Sequence, residues 1–321
     1  MLSRRFIRIK VFKLLFSCVH SQSMDIASAE KELLKSFDKT RQLYFLLLSL
    51  PEALKKYAQE RIDIGLQKYQ PSEEELSPNL RFVNNKAIEV LYRDKELSFS
   101  QEHGLNWTQQ RAFIKKIYEE IREEPYFIEY MNASEAPDFK KDVNLLKDIF
   151  CSELDDNPDL YNILEDQNIY WADDVAYVCN IIIAQLSLLK PSSDHMKHPD
   201  LFKKEDDREF ALQLFMQALT HYNEYVSYVE RFADNWDLER IAATDTAIIV
   251  MGVAEAVKFP GIPVKVTLNE MVEISKFYST GNSRIFVNGV LDKIIKYLME
   301  SGEIVKKGRG LVDNKTESQE D

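Results

Sequence analysis

Residues 283–300, which read SRIFVNGVLDKIIKYLME, have the apolar spacing of an α-helix. Phe286, Val290 and Ile294 recur on one helical face, and Ser283 stands where an N-cap residue is preferred. The same spacing recurs along nearly the whole chain, whereas the strict alternation typical of a half-buried strand is almost absent. The sequence therefore predicts an all-α fold.

The residues just before this helix contain signals that begin and end helices. Thr267, followed three residues later by Glu270, has the form of a capping box, so we expect a helix to begin at residue 268. Pro260, Gly261 and Pro263 cannot continue a helix, so the chain must turn there. The C-terminal third is thus predicted as a series of helices joined by turns.

The composition favours a globular protein with room for two or three domains. The chain has 321 residues, of which 45% are hydrophobic and 29% are charged. It contains only 9 glycines, which argues against nucleotide-cradling loops. Because no run of about 18 uncharged apolar residues occurs, we expect no membrane span.

The charge of the chain is unevenly distributed. The net charge is -12, yet residues 1–24 carry five basic residues and no acidic one, so this segment is +5 and the remainder is -17. The basic residues are Arg4, Arg5, Arg8, Lys10 and Lys13. Such an asymmetry indicates a local surface for an anionic partner, because the rest of the chain would repel nucleic acid.

The residue types needed for catalysis do not form a recognisable constellation. The sequence has no P-loop, dinucleotide fingerprint, HExxH motif or CxxC pair, so we expect no enzyme, no cofactor and no metal site. His195 and His198 are spaced like metal ligands, but they lie in a proline-bounded polar segment that we interpret as a solvated linker.

The cysteines and the N-terminus predict a cytoplasmic protein. The three cysteines lie far apart in apolar runs, as is typical of buried thiols in a reducing compartment. Residues 11–19 resemble the apolar part of a signal peptide, but Lys13 interrupts the run and no clear cleavage site follows.

Two polar, proline-bounded stretches, residues 70–78 and 190–199, indicate linkers that bracket an inserted region. We therefore expect four segments. They are N-terminal helices at 1–70, an inserted helical region at 71–200, a C-terminal helical part at 201–300 and a disordered tail at 301–321.

The segment from Trp236 to Lys293 resembles the NusB family of bacterial transcription antitermination factors. The most specific stretch is FVNGVLDK, residues 286–293. The other residues that carry the resemblance are Trp236, Arg240, Asp245, Ala247 to Ile249, Ile262 to Val266, Asn269, Glu270, Glu273 and Lys276. The arginine-rich N-terminus, with Leu15 and Phe16, is similar to the first helix of such proteins. The resemblance implies a NusB-like helical bundle core, formed by residues 1 to about 38 and about 205 to 300, with an additional inserted helical domain.

The resemblance also implies a function without catalysis. Proteins of this family bind the single-stranded boxA element of nascent RNA together with NusE, a ribosomal protein, as part of the antitermination complex on RNA polymerase. Carried over to this sequence, the RNA contacts are Arg4, Arg5, Arg8, Asn282, Ser283, Arg284 and Phe286. The residues implied to contact the protein partner are Asp245 and Glu255.

The start of the last helix departs from the family pattern. Ile285 stands where the family usually has a basic residue, and the nearest basic residue, Arg284, is one position earlier. A shift of one position in a helix turns a side chain by about 100° around the helix axis. Phe286 also lies on the apolar stripe, so packing in the core is the alternative to a contact with RNA. Gly289 is expected where two helices approach closely.

Two other functions fit parts of the sequence. In the first, the inserted region acts as a protein-interaction scaffold in transcription or ribosome assembly, through exposed aromatic residues such as Tyr126, Phe127, Tyr130 and Trp171. Deleting residues 71–200 or neutralising the N-terminal arginines would discriminate it from RNA binding. In the second, the helical module precedes an RNA methyltransferase, but no glycine-rich methyl-donor site follows it here.

Overall fold

The computed structural model describes the chain except residues 22–24, 136–137, 234–240 and 316–321. The N-terminal helices are α1 (Arg4–Ser21), α2 (Ile26–Leu48) and α3 (Leu50–Leu66). They are followed by α4 (Glu73–Leu76), α5 (Lys86–Tyr92), α6 (Lys95–Glu102), α7 (Arg111–Glu123), α8 (Pro125–Asn132), α9 (Phe139–Ser152), α10 (Pro158–Gln167) and α11 (Val175–Leu186). The last five are α12 (Asp207–Thr220), α13 (Tyr222–Phe232), α14 (Ala243–Lys258), α15 (Val264–Tyr278) and α16 (Ser283–Glu300).

The fold class is all-α, as predicted. Short 3-10 helices occupy Thr108–Gln110, Ala172–Asp174 and Gly308–Lys315. The described residues contain no β-strand, only an isolated bridge between Leu2 and Phe202. In the part of the chain that the structure describes, none of the helices combines the length and the apolar character needed to cross a bilayer.

The chain forms two compact units. Unit 1 consists of Met1–Lys35 and Leu201–Asp321, and unit 2 consists of Ser36–Asp200. The first division falls within α2 and not near residue 70, where the sequence analysis placed it. The polar stretch 70–78 instead joins α3 to α5 within unit 2, and α4 in this stretch packs against α3.

Helix α14 lies at the centre of unit 1. It packs against α1, α12, α13, α15 and α16. Residues 247–256 of this helix are all buried, including Glu255. The sequence of α14 is apolar on every side, which is typical of a helix that is buried on all sides by its neighbours.

Two helix boundaries differ from those expected. Helix α15 begins at Val264, directly after Pro263, so Thr267 lies within the helix and is not a capping residue. Its buried hydroxyl donates to the Glu255 carboxylate at 2.8 Å. Helix α16 begins at Ser283 with Asn282 as its N-cap, one residue earlier than predicted.

Close helix approach in unit 1 occurs at Gly252 and not at Gly289. A Cβ on Gly252 would lie 2.6 Å from Leu291 Cδ2 and 3.0 Å from Met271 Cγ. A Cβ on Gly289 would have no neighbour within 4 Å. The sequence expectation for Gly289 was therefore wrong, because Gly289 lies on the exposed side of α16.

We predict that substitutions of these two glycines change the free energy of unfolding in opposite directions. Gly252→Val is expected to lower the free energy of unfolding by about 1–3 kcal/mol, because the added atoms overlap buried side chains. Gly289→Ala is expected to raise it by about 0.5–1 kcal/mol, because alanine has the higher helix propensity and meets no neighbour. Urea denaturation followed by circular dichroism measures both. Equal effects of the two substitutions would contradict the assignment of Gly252 as the close-approach position.

The residues after α16 are ordered as far as the structure describes them, which corrects the prediction of a disordered tail from residue 301. Ile304 is buried, and Lys306 donates through Nζ to the carbonyl of Ala256 at 2.9 Å, near the end of α14. The Lys307 amide donates to the Pro260 carbonyl at 3.0 Å. In the sequence, Lys306 and Lys307 look like part of a solvated tail. In the structure, Lys306 donates to a carbonyl near the C-terminal end of α14. Residues 316–321 lie outside the described part.

Unit 2 is built from the remainder of α2 and from α3 to α11. Within it, α3 packs against α7, α5 packs against α9, and α9 packs against α11.

The aromatic residues expected at the surface of unit 2 are mostly internal. Phe127, Tyr130 and Trp171 are buried, and the Trp171 indole donates to the Lys39 carbonyl at 2.9 Å. The hydroxyl of half-buried Tyr126 donates to Glu153 at 2.9 Å. Three of the four rings are buried, so the scaffold hypothesis loses most of the aromatic surface on which it rested.

Most residues of the segment 190–199 are exposed and lie outside helices, but the side chain of His198 is buried. The side chain of His198 is 4% exposed, with Nε2 at 3.0 Å from Asp94 Oδ1. Its Nδ1 lies 3.0 Å from the Tyr44 hydroxyl. Asp94 also accepts from the amides of Leu97 and Met196, which ties this segment to the start of α6. His195 is exposed.

Candidate nucleic-acid interface

The predicted RNA contacts of the N-terminal segment all lie on α1, but their side chains have different environments. Arg4 Nη2 lies 2.9 Å from Asp206 Oδ2, and Arg4 Nε lies 2.9 Å from Asp207 Oδ1 at the start of α12. The guanidinium carbon is 4.8 Å from the centre of the Phe210 ring. Arg4 is therefore half-buried and held against α12.

Arg5 is the most accessible of the three arginines. Its side chain is 53% exposed and forms a two-pronged pair with Glu270 of α15, with both distances 2.9 Å. The hydrogen bonds to Glu270 hold the pKa of the guanidinium above its usual value. Arg5 is thus a permanent cation at the surface, and its pairing geometry suits a phosphate as well as a carboxylate.

Arg8 is an internal residue. Its side chain is 4% exposed, and Nε lies 2.6 Å from Glu255 Oε2 while Nη2 lies 3.1 Å from Glu255 Oε1. Thr267 completes the cluster by donating to Glu255. The sequence analysis expected Arg8 to contact RNA and Glu255 to contact a protein partner. Both expectations are wrong for this structure, because the two side chains are buried against each other. The two residues neutralise each other between α1 and α14.

The predicted RNA contacts at the start of α16 also divide into exposed and buried side chains. Asn282 and Arg284 are exposed, and Arg284 makes no side-chain hydrogen bond or ion pair within the described residues. Ser283 is buried and donates to Asp245 Oδ2 at 2.7 Å. Phe286 is buried in the core of unit 1. The structure therefore assigns Ser283, Phe286 and Asp245 to the interior and leaves Asn282 and Arg284 available at the surface.

A group of aromatic residues beside these positions was missed by the sequence analysis. Phe277, in the last turn of α15, is 78% exposed. Its neighbour Tyr278 contacts the Phe12 ring at 5.5 Å, and Lys13 Nζ lies 5.2 Å from the Tyr278 ring centre. The signal was present in the sequence, because Phe277 falls off the apolar stripe of α15 that Met271 and Ile274 define.

These contacts give the candidate site its arrangement. Arg5 meets Glu270 while Phe12 meets Tyr278, so α1 and α15 run in the same direction, side by side. Only residues 279–282 separate Tyr278 from α16. We group Arg5 and Lys13 of α1 with Phe277 at the end of α15 and Arg284 at the start of α16, and call this group the α1–α15 edge. Its cations can bind phosphate groups and its exposed ring can stack on an unpaired base.

Among the described residues, no three histidine, cysteine, aspartate or glutamate side chains are grouped as metal ligands. The side chains of the α1–α15 edge offer charge pairing, hydrogen bonding and stacking.

Comparison with known proteins points to one family. The family model described as "NusB family" matches residues 183–296, which contain α12 to α15 and most of α16. The chain is 44% identical over 105 residues to the transcription antitermination protein NusB of Salinibacter ruber, covering 33% of this chain and 66% of that protein. It is 35% identical over 106 residues to the protein of the same name from Chloroherpeton thalassium, covering 33% and 50%.

A third relative is covered over most of its length. The chain is 35% identical over 123 residues to the transcription antitermination protein NusB of Koribacter versatilis, covering 36% of this chain and 83% of that protein. The chain thus spans about half to two thirds of the first two relatives and more of the third. No solved structure matches it. Trp236 and Arg240, which carry part of the resemblance, lie outside the described residues.

Proposed function

This chain belongs to the NusB family, and we propose that it acts in the cytoplasm as a non-enzymatic RNA-binding factor in transcription antitermination. The observation that carries the proposal is the α1–α15 edge. In a chain with a net charge of -12, this surface combines exposed Arg5 and Arg284 with the exposed ring of Phe277. The ligand we propose is single-stranded boxA-type RNA.

The proposed contacts follow from the exposure of each side chain. A phosphate group replaces Glu270 as the partner of Arg5, because both groups accept two parallel hydrogen bonds from a guanidinium. Arg284 and Asn282, at the first turn of α16, contact a second phosphate near the amides of the helix N-terminus. Phe277 stacks on a base. Arg8 supports the surface from within.

The proposed protein partner is NusE, within the antitermination complex on RNA polymerase. The buried carboxylates of Asp245 and Glu255 do not contact it directly in this conformation. The partner and the RNA bind to the same protein, so by linkage each raises the affinity of the other by an equal factor if their binding is cooperative.

Fluorescence anisotropy of a labelled boxA-type RNA tests the proposal, with and without the ribosomal protein and at two salt concentrations. With Arg5, Lys13 and Arg284 as the phosphate contacts, we expect a log-log salt slope of about -2.1. We also expect the ribosomal protein to tighten binding. A scrambled RNA is the control. Equal affinity for boxA-type and scrambled RNA in the presence of the partner would overturn the proposal.

A further inference from the structure

The carboxylate of Glu270 on α15 lies between two arginines of α1. Its two oxygens accept hydrogen bonds from Arg5 Nη2 and Nε, both at 2.9 Å. The oxygen Oε2, which accepts from Arg5 Nε, is also 3.8 Å from Nη1 of Arg8. One carboxylate oxygen therefore faces both guanidinium groups, and it is at hydrogen-bond distance from only one of them.

The two arginines differ in their accessibility to a ligand. The side chain of Arg5 is 53% exposed, whereas those of Glu270 and Arg8 are 16% and 4% exposed. Arg8 is held by Glu255 through Nε and Nη2, and Glu255 is held in turn by the hydroxyl of Thr267. The remaining nitrogen of Arg8, Nη1, faces Glu270. An anion that arrives from solvent can therefore reach Arg5 but not Arg8.

A phosphate bound to Arg5 would place a second negative charge beside Glu270. The two anions repel each other, and a mostly buried carboxylate that loses its cation incurs a desolvation cost. Arg8 can offset this cost, because a movement of Oε2 by about 1 Å shortens the 3.8 Å separation from Nη1 to a charge-assisted hydrogen bond. The terminal torsion of a glutamate side chain is broad, so its rotamers accommodate such a shift.

We propose that Glu270 is an internal competitor for the RNA phosphate at Arg5, and that its carboxylate moves to Arg8 when RNA binds. This inference rests on the proposed function, and it names the residue that limits the affinity. A free anion competes poorly with a carboxylate that is tethered beside its cation. RNA that is already bound at Phe277 or Arg284 presents its next phosphate at a high effective concentration, so it displaces Glu270.

A second carboxylate of α15, that of Glu273, provides a matched comparison. It lies one helical turn after Glu270 and pairs with Lys276 of the same helix. The hydrogen bonds to Glu270 are the main cause of the raised pKa of Arg5, and the charge of Glu273 contributes less. Neutralising either glutamate changes the net charge equally, but only the loss of the Glu270 charge releases the edge of Arg5 that would bind a phosphate.

Fluorescence anisotropy of boxA-type RNA, with the full-length chain and the ribosomal protein, tests the internal competitor. Glu270→Gln keeps the shape of the side chain and removes its charge, and we expect it to tighten RNA binding about fivefold. Glu273→Gln should tighten binding by less than about twofold. Damage to the fold does not produce a gain in affinity. In an Arg5→Ala background the gain from E270Q should disappear, because the cation for which Glu270 competes is absent.

The possible results separate this inference from the proposed function. If the unmodified chain binds boxA-type RNA and E270Q does not bind it more tightly, the internal competitor is overturned and the proposed function stands. A gain that persists in the Arg5→Ala background also overturns it, because the effect is then one of general charge. If E270Q tightens binding of boxA-type and scrambled RNA to one common affinity, as in the unmodified chain, the competitor stands and the boxA preference fails. If neither chain binds RNA, both proposals fail.

Discussion

Replacing Glu255 with alanine is expected to lower the free energy of unfolding of unit 1 by about 3–5 kcal/mol. The substitution leaves the guanidinium of Arg8 buried without its carboxylate, and it removes the acceptor of the Thr267 hydroxyl. The next carboxylate, that of Glu270, is 3.8 Å from Arg8 Nη1. That distance is too long for a hydrogen bond of normal strength, so Glu270 compensates only in part.

Urea unfolding measures this loss, and hydrogen exchange with mass spectrometry locates it in α1 and α14. Glu255→Gln retains the shape of the side chain and one acceptor, so its effect should be intermediate. The double variant R8M/E255L replaces the ion pair by apolar groups and should recover much of the loss. A decrease below 1 kcal/mol for Glu255→Ala would contradict the assignment of this pair as a buried, mutually dependent unit.

The surface arginine provides the matched comparison. Arg5 is on the same helix and also pairs with a glutamate, but it is half exposed. Water screens its charge in the folded protein and solvates it when Glu270 is absent, so Arg5→Ala should cost less than about 1 kcal/mol. The two substitutions together distinguish an arginine that maintains the fold from one that is available to a ligand.

The fold class was predictable because it rests on local periodicity. The stripe of Phe286, Val290 and Ile294 is a property of one helix, and all three side chains are buried as expected. Where two helices touch depends on the partner helix, which periodicity does not contain. Hence Gly252, which faces Leu291 across α14 and α16, was missed, and Gly289 was selected in its place.

The candidate site was predictable only in part, for the same reason. The residues Arg4, Arg5 and Arg8 read as one basic face because arginine is usually exposed. Helix α1 packs against both α12 and α14, so its Arg8 side is also covered. The acidic partner of Arg8 is 247 positions away, and nothing in the sequence selects it over other acids. The RNA-binding surface that the resemblance implies stays a prediction, whereas tertiary contacts determine which of its side chains are exposed.

Reversing the charges of Arg5 and Arg284 together is expected to reduce affinity for boxA-type RNA about 100-fold. Each reversal removes a favourable contact and adds repulsion, at about 1–1.5 kcal/mol per position. The log-log salt slope should change from about -2.1 to about -0.7, because two phosphate contacts are lost. The midpoint of thermal unfolding should change little, since both side chains lie at the surface.

The matched control is the K293E/R309E double variant, which changes the net charge equally at two exposed positions outside the α1–α15 edge. If general electrostatic attraction determines RNA affinity, the two double variants will weaken binding alike, and the site at the α1–α15 edge is wrong. If R5E/R284E alone reduces the affinity and the slope, the contacts are local. Phe277→Ala then separates base stacking from phosphate contacts. Stacking contributes about 1–3 kcal/mol per base, so its loss should lower the affinity for RNA without changing the salt slope.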